Sequence, residues 1–301
     1  MSLRQRSPAR GPRATRLDRS VPLAHRVAHR FCAAGWRGKT IVWKLAERWS
    51  APVHAVVWVG GGSLSIDRTY SLDRAIYQGF FESAELRLIA KLVRPGEACI
   101  DVGANLGLYS VLFAARSGHG PVISFEPSPT FQRLQENLSH VPCATAINMG
   151  VGAEAGSLPL HLADGDDHAN FREGTSADHV VDVITLDSVP AIQDLPQIDF
   201  LKIDVEGWEP QVMAGAKGLW AGRKVGIALI EVSPMWGGVD CLQTVVDLGY
   251  QCFSLLPKRL AGGLRYGMEV LPLDVRSLPP QGNVLVVRPD RMDRLAVRTS
   301  R

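Results

Sequence analysis

Residues 98–116 read Ala-Cys-Ile-Asp-Val-Gly-Ala-Asn-Leu-Gly-Leu-Tyr-Ser-Val-Leu-Phe-Ala-Ala-Arg. The apolar run at 98–102 predicts a short buried strand, and residues 109–116 predict a helix. Between them lies Asp101-Val-Gly-Ala-Asn-Leu-Gly107. A strand that breaks at glycines and resumes as a helix opens a strand–helix–strand unit. The pattern repeats outward. Strands are expected at 122–125, 144–151, 198–205 and 226–232, with helices at 129–138, 210–219 and 239–248. Residues 250–255 and 283–287 finish the series as strands, and residues 85–93 form a helix ended by Arg94-Pro-Gly96. Strands alternating with helices of about ten residues imply a mostly parallel α/β sheet covered on both faces. Such sheets bind ligands beyond the carboxyl ends of their strands, where the strand order reverses.

Residues that follow the strands therefore carry the functional reading. In the loop, Gly103 and Gly107 let the backbone come close to a ligand, and Asn105 tolerates a left-handed conformation. The loop opens a helix whose N-terminus favours negative groups. Its GxxxG spacing is not the GxGxxG of a dinucleotide-binding loop. Glu126 ends the second strand, 19 residues after Gly107. An acid there can accept both ribose hydroxyls of an adenosine, and with Asp101, Gly103, Ala104, Asn105 and Gly107 it makes a nucleoside-binding set. Alternatively, Glu126 is a solvated loop acid and the glycines make a packing turn.

Further along, Ile203-Asp-Val-Glu-Gly-Trp208 places Asp204 and Glu206 two residues apart at a strand end, hence on one side of the sheet. Carboxylates in that position can take a proton or orient a hydroxyl. The other reading has Asp204 hold the loop backbone and Glu206 cap the next helix. Glu231, at the tip of the fifth strand, also faces the crevice. His161 and His168 flank Asp164, Asp166 and Asp167, but no metal-ligand spacing is diagnostic, so a solvated loop and no metal site are expected.

Composition narrows the class. Of 301 residues, 46% are hydrophobic and 21% charged, ordinary values for a globular chain with a sizeable core. The net charge of +3 conceals an asymmetry: the first 50 residues carry 12 Lys or Arg against Asp18 and Glu47, while the rest is net acidic. Nothing in that acidic body suggests a nucleic-acid surface. Five cysteines without a CxxC pair read as free thiols, which points to the cytoplasm. No run of 18 apolar residues exists to form a transmembrane helix, and no secretory signal is recognisable. The Arg-rich, acid-poor start fits a charged disordered tail better than a transit peptide.

The motifs together resemble the FkbM family of S-adenosylmethionine-dependent methyltransferases. The matching string comprises Glu82, Arg94-Pro-Gly96, the 101–107 loop and Phe125-Glu-Pro127. It continues through Leu134-Gln-Glu-Asn137, Thr185-Leu-Asp187, Asp199-Phe-Leu-Lys-Ile-Asp-Val-Glu-Gly207 and Ile230-Glu-Val232. It covers residues 70–290. The resemblance implies a Rossmann-like class I methyltransferase fold, usually a seven-stranded sheet with its last strand antiparallel. It also implies S-adenosyl-L-methionine as cofactor and methyl transfer to a hydroxyl of a sugar, lipid-linked glycan or natural product. An NAD or nucleotide-sugar enzyme, or a non-catalytic nucleoside-binding scaffold, would use the same fold class. The expected organisation is a disordered basic arm at 1–20, a helical and strand extension at 21–75, the methyltransferase domain at 76–290 and a tail at 291–301. The insertion at 163–179 and the basic extension lie outside the resemblance.

Overall fold

A computed structural model describes residues 15–162, 169–171, 179–278 and 280–295. Asp164, Asp166, Asp167 and His168 of the histidine–aspartate group lie outside the described residues, as do residues 1–14 of the basic arm.

The chain opens with β1 (Thr15–Leu17), α1 (Leu23–Ala33), α2 (Lys39–Ala46), β2 (His54–Val59), β3 (Gly62–Asp67) and α3 (Ser71–Gln78). The alternating body follows: α4 (Ser83–Leu92), β4 (Cys99–Val102), α5 (Leu108–Ser117), β5 (Val122–Phe125), α6 (Phe131–Leu138) and β6 (Ala144–Ile147). A smaller set comes next, β7 (Gly150–Val151), β8 (Gly156–Leu162), β9 (Ala169–Phe171) and β10 (His179–Ile184), then α7 (Pro190–Gln193). The chain returns through β11 (Ile198–Ile203), α8 (Glu209–Ala214), α9 (Lys217–Ala221), β12 (Val225–Val232) and α10 (Gly238–Asp247). It closes with β13 (Gln251–Leu260), β14 (Arg265–Pro272) and β15 (Gly282–Val287).

The main sheet has eight strands in the order β14-β13-β15-β12-β11-β4-β5-β6. The five from β6 to β12 are parallel, and β15 runs antiparallel between β12 and β13. This is the Rossmann-like arrangement with one strand more than the expected seven: β14 folds back on β13 as an antiparallel edge. The strand order reverses between β4 and β11, which puts the switch point at the 101–107 loop.

The pleat explains why the sheet is buried on both faces. In β12, Ile227 and Leu229 enter one core while Ala228, Ile230 and Val232 enter the other. Phe200 and Leu201 of β11 divide the same way. Each such side chain, fully buried, contributes about 1.5–3 kcal/mol. On the first face the register sets Lys202 directly beside Asp101.

Three observations bear on the expected organisation. Thr15–Leu17, assigned to a disordered arm, pairs antiparallel with β2, because Thr15 and Leu17 both turn inward. Val57, Val59, Leu64 and Ile66 share one core with Val111 and Leu112 of α5, so residues 21–75 are built into the body. Residues 289–294 form a short helix rather than a tail; its Arg294 is buried, pairs with Glu97 and donates to the Leu92 carbonyl oxygen.

Local breaks also refine the elements. The strand expected over 144–151 splits at Asn148, whose amide donates to the Glu126 carbonyl oxygen at 2.8 Å. β7 then joins a second sheet, in the order β7-β10-β8-β9. The helix expected over 210–219 divides into α8 and α9 around Gly215, where the backbone of Gly152 approaches too closely for any Cβ.

Candidate active site

The carboxyl ends of β4, β5, β11 and β12 surround a cavity of about 430 Å³. Gly103, Ala104, Asn105, Glu126, Asp204, Glu206 and Glu231 all line it. Asp101 and Gly107 stand outside the lining. Three residues that strand-end reasoning did not select line it too: Glu82, Tyr109 and Lys202.

Glu126 is 6% exposed, and both its oxygens are engaged by backbone. The Asn105 N–H donates to Oε2 at 2.8 Å and the Ser128 N–H to Oε1 at 2.9 Å. A carboxylate has about four lone-pair sites, so these bonds hold it in place without using it up. Burial pushes its pKa up, and the Ser128 hydroxyl and the amides of Ser128 and Asn105 oppose that. Asn105 does adopt the left-handed region, with φ 49°, and its side chain accepts from the Leu106 N–H at 2.7 Å.

Gly103 has φ 77°, but a Cβ there would lie 1.8 Å from the carbonyl oxygen of Asp204. The glycine lets two strand tips cross rather than clearing a path for a ligand. Gly107 starts α5 in the left-handed region, and its neighbour is the Leu134 side chain.

Asp101 lies beneath the loop. It accepts from the Ser110 hydroxyl at 2.6 Å, and its other oxygen is 4.0 Å from Lys202 Nζ. That ammonium sits 3.0 Å from Asp204 Oδ2 and 4.9 Å from the centre of the Tyr109 ring. Burial alone would lower the Lys202 pKa; the carboxylates of Asp204, Asp101 and Glu82 outweigh it and hold the lysine charged. A lysine inside the apolar string Phe200-Leu-Lys-Ile203 was the sequence signal for a buried ion cluster.

β11 ends at Ile203, so strand alternation is not what aligns Asp204 and Glu206. A turn does it, with Glu206 at φ 53° and Gly207 at φ 100°. Glu209 holds that turn: its Oε1 accepts from the N–H groups of Val205 at 3.0 Å and Gly207 at 3.2 Å. Glu206 does not cap the next helix; Glu209, followed by Pro210 in the first turn of α8, ties the preceding turn to it.

Further acids stand in and beside the cavity. Glu231 accepts from the Gln281 amide at 2.9 Å, and burial together with the Asp204 charge pushes its pKa up to about 8. Glu82 accepts from the Tyr109 hydroxyl at 2.7 Å and is likewise pushed up to about 8 by burial and by Glu85. Glu85, which accepts from the Asn283 amide at 3.0 Å, is pushed up to about 7, chiefly by burial. These raised values have a thermodynamic consequence. A carboxyl bound to its proton more tightly when folded favours the folded state below the ordinary value of 4.5, and that contribution is lost as pH rises toward the folded value. The melting temperature is therefore expected to fall between about pH 5 and pH 8, and Glu231→Gln should flatten the decline. A melting temperature that rises over this interval would refute the assignment.

Asp204, Glu209 and Glu231 each bring one carboxylate oxygen within 4.8 Å of the others, a span a divalent cation could bridge. Lys202, 3.0 Å from Asp204, already supplies positive charge there.

A family model described as the methyltransferase FkbM domain matches residues 101–252. The chain is 25% identical over 161 residues to the hexuronic acid methyltransferase AglP of Haloferax volcanii, covering 53% of this chain and 64% of that protein. It is 28% identical over 142 residues to methyltransferase 1 of Beauveria bassiana, covering 38% of this chain and 57% of that protein. This chain thus spans less than two thirds of the length of either relative. Among solved structures, the precorrin-6y C5,15-methyltransferase of Geobacter metallireducens aligns at 12% identity with a TM-score of 0.39, over 67% of this chain and 86% of that one. That likeness is too slight to argue from. The family match covers half of the chain and contains the loop, Glu126, Lys202, Asp204 and Glu231, and by it the chain belongs to the FkbM methyltransferase family.

Proposed function

We propose that the protein transfers a methyl group from S-adenosyl-L-methionine to a hydroxyl group of a sugar or glycan. The observation that carries this reading is one cavity lined both by Glu126 and the glycine loop and by the Glu231, Glu82 and Asp204 side chains. When bound, the donor supplies an electrophilic methyl carbon on a sulfonium. Its ribose hydroxyls suit the spare lone pairs of Glu126, and the backbone at Ala104 and Asn105 lies beside them.

In this reading Glu231, rather than the Asp204 or Glu206 that strand spacing favoured, accepts the acceptor's proton. An alcohol attacks poorly unless its proton leaves as the bond forms, and a carboxylate with a raised pKa is a stronger base than an ordinary one. Gln281 holds Glu231 in position. Asp204, paired with Lys202, serves to orient the acceptor rather than to take its proton. Lys202 offsets the negative charge that accumulates under the loop. The Haloferax relative's name makes a sugar acid the first acceptor class to try.

Two measurements test the reading. Calorimetry should show S-adenosylhomocysteine binding in preference to NAD, and Glu126→Ala should lower that affinity by about tenfold or more. The magnitude follows from charge-assisted hydrogen bonds contributing roughly 1.5–3 kcal/mol each. Because Glu126 also holds two backbone amides, Glu126→Gln and a melting curve control for the fold. Labelled methyl transfer into sugar acids and glycans should then yield an O-methyl product. NAD binding, or a folded Glu126→Ala protein with unchanged affinity, would overturn the proposal.

A further inference from the structure

We propose that the outer face of α1 and α2 docks the protein on an anionic lipid surface. The two helices enclose an apolar groove of about 580 Å³. Leu23, Val27, Leu45 and Trp49 along it are 67%, 58%, 49% and 55% exposed, and Ile41 beside it is 68% exposed. Single exposed leucines are ordinary, but four large apolar groups on one pair of short helices, with Trp49 just past the second, form a patch.

The charges are arranged around that patch. Arg26 and Arg30 follow Leu23 and Val27 by three residues, and Lys44 and Arg48 follow Ile41 and Leu45 by three. Positions three apart on a helix lie on the same side. Leu23, Val27 and Ile41 thus each have a cation beside them on their helix, and Arg48 and Trp49 extend the same mixture just past the end of α2, a pattern of basic amphipathic segments that lie in a membrane interface. Among the described residues, none of these four cations is paired with a carboxylate. Residues 15–53 hold eight Lys or Arg against Asp18 and Glu47.

The face cannot roll inward to hide. His25 on the inner side of α1 bridges the Trp49 carbonyl oxygen at 2.8 Å and the Tyr77 hydroxyl at 3.0 Å. His29 bridges the Tyr77 carbonyl oxygen at 2.8 Å and the Thr15 hydroxyl at 3.0 Å. With 11 and 8 residues, α1 and α2 are too short to cross a bilayer, so the geometry is that of a surface contact.

Other occupants fit less well. A second copy would set one positive region against another. Residues 1–14 add four arginines and only Met1 and Leu3 as large apolar groups, too few to fill the groove. An anionic headgroup layer over acyl chains supplies both the negative charge and the apolar medium.

Vesicle flotation of the full chain tests this. The protein should float with mixed phosphatidylcholine and phosphatidylglycerol vesicles, much less with phosphatidylcholine alone, and progressively less as salt is raised. The double variants Val27→Asp with Leu45→Asp, and Arg30→Glu with Arg48→Glu, should each weaken binding by about tenfold or more. Both should retain the wild-type melting temperature and S-adenosylhomocysteine affinity, since none of these residues lines the cavity. Absence of flotation with anionic vesicles, or flotation of both variants like wild type, would overturn the proposal. So would a wild-type dimer in light scattering that fails to float and that the aspartate pair converts to monomer, since the face would then join two copies.

Discussion

Glu231→Gln is expected to lower turnover by about 10²–10⁴ while S-adenosylhomocysteine affinity changes little. The amide keeps the size of the side chain and can still meet Gln281, but it cannot take a proton. The pH profile provides the sharper readout. The active form is the carboxylate, and burial beside Asp204 raises the Glu231 pKa to about 8. The rate of the wild-type protein should therefore climb with pH and level off above about 8, and the variant should lack that limb. Glu82 is also pushed up to about 8, so Glu82→Gln is the necessary comparison. If Glu82→Gln abolishes the limb and Glu231→Gln leaves it, the base sits on α4's side of the cavity and not on β12.

Gly103→Val is expected to cost the fold itself, well beyond about 4 kcal/mol, because two penalties coincide. The backbone is at φ 77°, which a branched side chain rarely adopts, and the new Cβ would lie 1.8 Å from the Asp204 carbonyl oxygen. Gly38, at φ 82° and ψ 17° with nothing within 4 Å of a Cβ, provides the control. Gly38→Ala meets only the backbone penalty, roughly 1–2 kcal/mol. Thermal melts of the two variants should differ widely. A Gly103→Val protein that melts normally but no longer binds S-adenosylhomocysteine would return the glycine to the role read from the sequence, a gap for the ligand.

Much of this architecture was legible because it rests on local pattern. The run into Asp101-Val-Gly-Ala-Asn-Leu-Gly107 announces a strand, a tight loop and a helix, and the apolar strands β4, β5, β11 and β12 stand where their composition puts them. The position of Glu126 beside the cavity was legible from its spacing after the glycine loop. What stayed hidden depends on contacts distant in sequence. Glu82 reaches the cavity only because its α4 lies against α5, where Tyr109 donates to it. β14 has a partly exposed, irregular surface with Gly267 and Pro272, so no alternation marks it as a strand. The choice between Glu206 and Glu209 as the acid that holds the turn depends on a left-handed residue that no periodicity predicts.

The segment that records ancestry is not the segment that folds. The family match runs from residue 101 to residue 252, yet β15, at Gly282–Val287, is the strand between β12 and β13. A fragment cut at the match would leave β12 with a bare edge, and it would strip from α5 the cover that β2 and β3 give to Val111 and Leu112. Shared ancestry is written where chemistry constrains the residues, around the strand tips. Cooperative stability draws on flanks beyond that match, because they close the same two cores.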